Sequence, residues 1–248
     1  MNFISIKFSF LALLVMAFST ALNAQSIPLT HILPAPPVPQ KVADFPEDFF
    51  ISSRFFDCDL DGDQGLILTT FNRGNAQVLL YENDGNGNFN LHPGNSSFDG
   101  LYLGISSGSL DIADLDLDGD TDLVLVGVSE TKVMLNDGNG YFSSSQTINQ
   151  GIFVFTGVLK LGDVDSDGDE DLFISADIGL QPSPSRIFRN DGNANFTADT
   201  SMIFGSNEVG TANFADVDGD QDLDLFLTAT NAINPETRLY LNSGNGTF

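Results

Sequence analysis

The strongest constraint on this chain is a nine-residue acidic pattern that recurs four times, each copy running directly into an apolar stretch. The clearest copy is Asp114-Leu-Asp116-Leu-Asp118-Gly119-Asp120-Thr-Asp122, followed by Leu123-Val-Leu-Val126. Its five carboxylates repel one another. On an extended strand alternate side chains lie about 6.6 Å apart and cannot meet at one point. In a tight loop, carboxylates at positions 1, 3 and 5 can turn inward together, and Gly119 at position 6 permits the positive φ that such a turn needs. A hard cation that takes about 6–8 oxygens at about 2.3–2.6 Å suits this arrangement, which points to Ca²⁺.

The other copies keep the same phase. Asp57-Cys58-Asp59-Leu-Asp61-Gly62-Asp63-Gln-Gly65 precedes Leu66-Ile-Leu68. Asp163-Val-Asp165-Ser-Asp167-Gly168-Asp169-Glu-Asp171 precedes Leu172-Phe-Ile174. Asp216-Val-Asp218-Gly-Asp220-Gln221-Asp222-Leu-Asp224 precedes Leu225-Phe-Leu227. First positions at 57, 114, 163 and 216 define a repeat, which an isolated acidic surface turn would not do. These aspartates are the candidate metal residues, for three to four calcium ions.

A second motif follows each acidic loop: Leu80-Tyr-Glu-Asn83-Asp-Gly85, Met134-Leu-Asn136-Asp-Gly138, Phe188-Arg-Asn190-Asp-Gly192 and Tyr240-Leu-Asn242-Ser-Gly244. Each copy ends four residues beyond its glycine in a phenylalanine: Phe89, Phe142, Phe196 and Phe248. Asn-Asp-Gly between apolar runs reads as a hairpin turn, because these residues accept positive φ. Each repeat therefore reads strand, acidic loop, strand, connection, strand, Asn-Gly turn, strand. Four short strands per repeat match one blade of an all-β propeller. An EF-hand is excluded, because position 12 is Leu68, Leu125, Ile174 or Leu227 where a bidentate Glu is required.

The N-terminal region differs. Met1 to Ala24 reads as a secretory signal, with Lys7 ahead of an apolar stretch from Phe8 to Leu22. That stretch is short for a membrane span of about 20 residues, and no later segment could cross a bilayer. Residues 25–49 hold six prolines and read as a linker. The expected mature protein is secreted or displayed at the cell surface.

Net charge is −25, and 19 of the 34 acidic residues are the loop aspartates. Four Ca²⁺ would return eight positive charges. So acidic a chain is a poor partner for nucleic acid, which needs basic patches. The lone Cys58 permits no internal disulfide, so an exported protein must draw its stability from core and metal.

The paired signatures resemble the FG-GAP/VCBS repeats of integrin α-chain-type propellers and of many secreted bacterial proteins, over about residues 50–248. The resemblance implies that each acidic loop joins the first two strands of a blade. It also implies Ca²⁺ ligation through positions 1, 3, 5 and 9 and the position-7 carbonyl. The implied ligands are Asp114, Asp116, Asp118 and Asp122 with the carbonyl of Asp120, then Asp163, Asp165, Asp167 and Asp171 with that of Asp169. The fourth set is Asp216, Asp218, Asp220 and Asp224 with the carbonyl of Asp222. Two departures stand out: Gly65 replaces the ninth-position Asp in the first loop, and Gln221 replaces the sixth-position Gly in the fourth. The first site is expected to be the weaker one. Such propellers usually close with about seven blades. Four repeats ending inside an Asn-Gly motif imply an incomplete propeller from a longer precursor, or a four-bladed ring that borrows a strand, for which residues 40–56 are a candidate.

Two functions fit: a calcium-binding adhesion module that recognises extracellular protein or polysaccharide, and the propeller portion of a carbohydrate-active enzyme. Catalysis would need a converging acid/base pair or a His/Arg cluster. His31, His92 and six scattered Glu supply none, which favours the non-enzymatic binder. Acidic loops and Asn-Gly turns should share one end of the blades. The connections between second and third strands, at Thr70–Ala76, Val128–Thr131, Asp177–Ser185 and Thr230–Thr237, should emerge at the other.

Overall fold

The computed structural model describes residues 49–72, 75–99, 101, 110–127, 130–149, 156–177, 185–204, 208–230 and 235–248, all within one unit spanning Val42–Phe248. The expected signal segment and nearly all of the 25–49 linker lie outside these residues; Phe49 already belongs to the first strand.

The described residues form four antiparallel sheets, each assembled from strands consecutive in sequence. The first comprises β1 (Phe49–Phe56), β2 (Gly65–Asn72), β3 (Asn75–Asn83) and β4 (Phe89–Leu91). The second comprises β5 (Leu110–Ala113), β6 (Asp122–Val126), β7 (Glu130–Leu135) and β8 (Ser143–Asn149). The third holds β9 (Thr156–Gly162), β10 (Asp171–Asp177), β11 (Arg186–Arg189) and β12 (Thr197–Ala198). The fourth holds three strands, β13 (Glu208–Ala215), β14 (Asp224–Thr230) and β15 (Pro235–Tyr240). A short 3₁₀ helix, Pro93–Phe98, follows β4.

The apolar run after each acidic loop forms the second strand of its sheet. Such a strand is buried on both faces, so it reads as continuous hydrophobic sequence and not as an alternation. Ile67 of β2 meets Leu123 and Leu125 of β6 in one core. Val124 and Val126, on the other face of β6, meet Leu172 and Ile174 of β10. Phe173 then meets Leu225 and Leu227 of β14. Each sheet therefore packs on the next, and the first strands β1, β5, β9 and β13 adjoin in succession. Phe226 holds the register position of Ile67, Val124 and Phe173 but is 39% exposed.

Asp111 ties three sheets together. Its buried carboxylate accepts from Arg54 Nε of β1 at 3.0 Å and from Lys160 Nζ of β9 at 2.6 Å, and from the Leu161 amide. Arg54, Asp111 and Lys160 share one register position on the first strands of their sheets.

Three of the expected connections are shorter than the sequence suggested. Thr70, Phe71 and Asn72 pair with Gln77, Ala76 and Asn75, so β2 and β3 stay paired as far as Asn72 and Asn75. Thr131 pairs with Val126, and Thr237 with Thr228. The polar residues of Thr70–Ala76 looked like loop because Thr and Asn there occupy strand ends, where pairing and not polarity decides. Residues 73–74, 128–129, 178–184 and 231–234, the remaining parts of the four connections, lie outside the described residues.

Candidate metal loops and their latches

Each acidic loop joins the first two strands of its sheet and is wound by its own carboxylates. The first aspartate caps the turn: Asp114 accepts from the amides of Asp118 and Gly119, Asp163 from Asp167 and Gly168, and Asp57 from Asp61 and Gly62, all at 2.9–3.2 Å. The fifth-position aspartate then accepts the seventh amide, as Asp118 does from Asp120 and Asp220 from Asp222. In the fourth loop Asp216 accepts from Gly219 at 2.6 Å and from Gln221 at 3.1 Å. Both oxygens of each first aspartate thus accept an amide, and the loop closes around a centre.

At that centre, carboxylate oxygens of Asp57, Asp59 and Asp61 lie within 4.8 Å of one another, as do those of Asp163, Asp165 and Asp167. In the second and fourth loops the converging trios are Asp114, Asp116 and Asp122, and Asp216, Asp218 and Asp224. Among the described residues, Asp116 Oδ1, Asp120 Oδ1, Asp165 Oδ1 and Asp169 Oδ1 are buried and accept no hydrogen bond. A buried, unpartnered carboxylate oxygen carries a large desolvation penalty, and a hard cation removes it. The donor set of oxygens therefore fits Ca²⁺.

The electrostatics agree. Burial, then the charges of Asp118 and Asp116, push Asp120 up to about 6. Burial and Asp167 do the same to Asp169, also to about 6. Asp122 rises to about 7 through burial, against the opposing donors Asn136 N–H and Leu115 N–H. Asp171 rises through burial to about 6.

The seventh aspartate connects the acidic loop to the turn. Its side chain lies against the glycine of the Asn-Gly turn in its own repeat, where a Cβ on Gly138 would stand 3.3 Å from Asp120 Oδ2 and one on Gly244 2.7 Å from Asp222 Oδ2. Acidic loop and turn thus share one end of the sheet. The ninth aspartate joins them: Asp122 Oδ1 accepts from Asn136 N at 2.8 Å and Oδ2 from Leu115 N at 2.9 Å, and Asp224 repeats both bonds with Asn242 and Val217.

The turn asparagine reaches into the preceding repeat. Asn136 Nδ2 donates to Cys58 O at 2.9 Å, Asn190 Nδ2 to Leu115 O at 2.8 Å, and Asn242 Nδ2 to Val164 O at 2.7 Å. Each accepting carbonyl belongs to the second position of the previous acidic loop. The sequence reading gave these motifs only a turn and a core Phe. Phe142 and Phe196 are indeed buried, but the asparagine is an inter-repeat latch.

Position 4 also escaped the sequence reading. Leu60, Leu117 and Ser166 adopt φ of 59°, 61° and 61°, and Gln221 takes the positive φ of the missing position-6 glycine at 79°. In the first loop a Cβ on Gly65 would stand 3.2 Å from Cys58 Sγ, so the thiol lies beside the position that the ninth carboxylate leaves vacant. Cys58 is buried, and burial followed by Asp59 pushes its thiol up to about 12. Cys58, Asp59 and His92 bring one ligand atom each within 4.8 Å. His92 Nδ1, however, accepts from Gly94 N at 2.9 Å and caps the 3₁₀ helix, which commits that lone pair. A third unforeseen residue is Arg189, whose Nη1 lies 2.8 Å from Asp171 Oδ2 and 3.2 Å from Asp165 Oδ2.

The FG-GAP-like repeat family matches residues 114–174 and 163–227, so the chain carries FG-GAP-like repeats. The two matches overlap and together run from the second acidic loop to the strand after the fourth. No curated protein matches the sequence. Among solved structures, the chain is similar to an Agrocybe aegerita lectin described for recognition of non-reducing terminal N-acetylglucosamine, at 19% identity and a TM-score of 0.49. That likeness covers 78% of this chain and 49% of the lectin chain, so this chain spans about half its length. It is also similar to the Photorhabdus luminescens Tc holotoxin pore, at 19% identity and a TM-score of 0.40, covering 78% of this chain and 9% of that one.

Proposed function

We propose that this chain is an exported, calcium-stabilised β-propeller module that binds extracellular protein or glycan without catalysis. The observation that carries the calcium reading is the set of buried, unpartnered oxygens on Asp116, Asp120, Asp165 and Asp169, in loops where three carboxylates converge within 4.8 Å. Four sheets with adjoining first strands, each packed on the next, support blades arranged about a common axis. The apolar segment at Phe8–Leu22 supports export. Among the described residues, no helix is long and apolar enough to cross a membrane.

Metal and latches take up one end of the sheets, which leaves the β2–β3-type connections at the other end for recognition. Loops that differ on a repeated rigid scaffold are a common place for binding. Calorimetry with Ca²⁺ on the chelator-treated protein tests the reading, with multiple sites near about 10⁻⁴–10⁻³ M as the expected result. A chelated protein that binds no calcium and melts at an unchanged temperature would rule it out.

A further inference from the structure

The residues immediately before the turn asparagine are Glu82, Leu135, Arg189 and Leu241. Only the third is cationic, and it does not point to solvent. Arg189 Nη1 bridges Asp171 Oδ2 at 2.8 Å and Asp165 Oδ2 at 3.2 Å, while Nε lies 3.6 Å from Asp199 Oδ2. Nη2 donates to Gly246 O at 2.9 Å, in the last turn of the fourth repeat. A Cβ on Gly246 would run into the guanidinium, so that turn is shaped around the arginine.

In the second and fourth loops the corresponding oxygens, Asp122 Oδ2 and Asp224 Oδ2, accept neutral backbone amides from Leu115 and Val217. Both ninth aspartates there join the converging trio, whereas the trio of the third loop is Asp163, Asp165 and Asp167. The arginine therefore draws on one oxygen each of the third- and ninth-position carboxylates. Asp165 Oδ1 and Asp169 Oδ1 remain buried and unpartnered, so a cation can still enter beside it.

We propose that the third acidic loop carries its own cation: the Arg189 guanidinium supplies in cis part of the charge that calcium supplies in the second and fourth loops. This rests on the calcium reading above. It has two consequences. The third site binds calcium more weakly than the second and fourth, because a bound dication must share Asp165 and Asp171 with a fixed positive charge. The junction between the third and fourth repeats is also the one least dependent on calcium, since Arg189 already spans from Asp165 and Asp171 to Gly246.

The test compares the full chain with Arg189→Leu, which installs the residue of the second and fourth repeats, and with Arg189→Gln, which keeps a donor but removes the charge. Calcium titration calorimetry should show one site tightened at least about tenfold in both variants, with the others unchanged. Melting in chelator should fall by about several degrees, and the gap between chelated and calcium-loaded Tm should widen. If Arg189→Leu does not fold, Arg189→Gln carries the same comparison. Wild-type protein that binds calcium while neither variant tightens any site overturns this inference alone. Wild-type protein that binds no calcium removes the calcium reading, and this inference with it.

Discussion

Asn190 Nδ2 donates to the main-chain oxygen of Leu115 at 2.8 Å, across 75 residues of chain. The same asparagine receives Asp191 N on its own Oδ1, and its backbone amide is held by Asp171 Oδ1 at 3.0 Å. One buried residue thus fixes its turn and the second residue of the loop before through its side chain, and the end of the acidic loop in its own repeat through its amide. Asn136 and Asn242 repeat the arrangement. The register between repeats is therefore set by hydrogen bonds as well as by the non-directional cores between sheets.

Replacing Asn190 by Ala should destabilise the protein by about 0.5–1.5 kcal/mol, because the Leu115 carbonyl loses one of its two donors and keeps the Ala194 amide at 3.0 Å. Asn190→Asp should be as damaging or worse, since a carboxylate would face a carbonyl oxygen. Chemical denaturation measures both. A near-neutral Asn190→Ala would mean that packing alone sets the register.

Backbone strain offers a gain. Gln221 holds φ of 79° where the other loops place Gly62, Gly119 and Gly168 at 94°, 100° and 99°. Gln221→Gly should stabilise by about 1 kcal/mol, the penalty a side chain carries in the left-handed region less the entropy that glycine loses. Gly119→Ala should destabilise by about 1–2 kcal/mol although no atom lies within 4 Å of the new Cβ, which makes it a purely conformational test. Equal thermal unfolding of Gln221→Gly and wild type would remove strain from this account.

Acidity should act oppositely in the presence and absence of metal. Asp120, Asp169 and Asp171 titrate near about 6 and Asp122 near about 7 in the metal-free fold, all above the unfolded value of about 3.9. Between those values the folded state binds more protons than the unfolded chain, so stability falls as pH rises. Metal-stripped protein should melt higher at pH 5 than at pH 8. Calcium should reverse the trend, because protons then compete with the ion. Metal-free melting that rises with pH would contradict the raised carboxylates.

The features legible in the sequence are those written in contiguous residues. The four acidic loops, the buried strands after them and the Asn-Gly turns each occupy about ten residues, and charge or hydrophobicity within that span determines them. What was not legible depends on partners elsewhere. Nothing local distinguishes a latch asparagine from a turn asparagine, because its acceptor lies 75 or 78 residues away. The partners of Arg189 likewise lie outside its own motif, in the third acidic loop and in the last turn of the fourth repeat. Thr70 and Asn72 read as loop because polarity at a strand end carries no sign of the pairing that extends it. The left-handed Leu117 runs against intrinsic preference, and only the closed ring of Asp114 hydrogen bonds accounts for it.

Asp116 separates ligand from scaffold better than the other loop aspartates. Asp118 accepts the Asp120 amide and Asp114 accepts two, so deleting either removes hydrogen bonds whether or not calcium is bound. Asp116 Oδ1, by contrast, is buried without a partner, and burial and the charges of Asp118 and Asp114 hold its carboxyl above the usual range. Asp116→Asn keeps the shape and deletes the charge. In chelator the variant should be more stable than wild type by on the order of 1 kcal/mol, because a repelling carboxylate has been removed. In saturating calcium it should be less stable by a similar or larger amount, because a ligand has been lost. Denaturation in the two conditions should therefore give stability changes of opposite sign. A loss of stability in both would assign Asp116 to the scaffold and leave the ion to the remaining carboxylates.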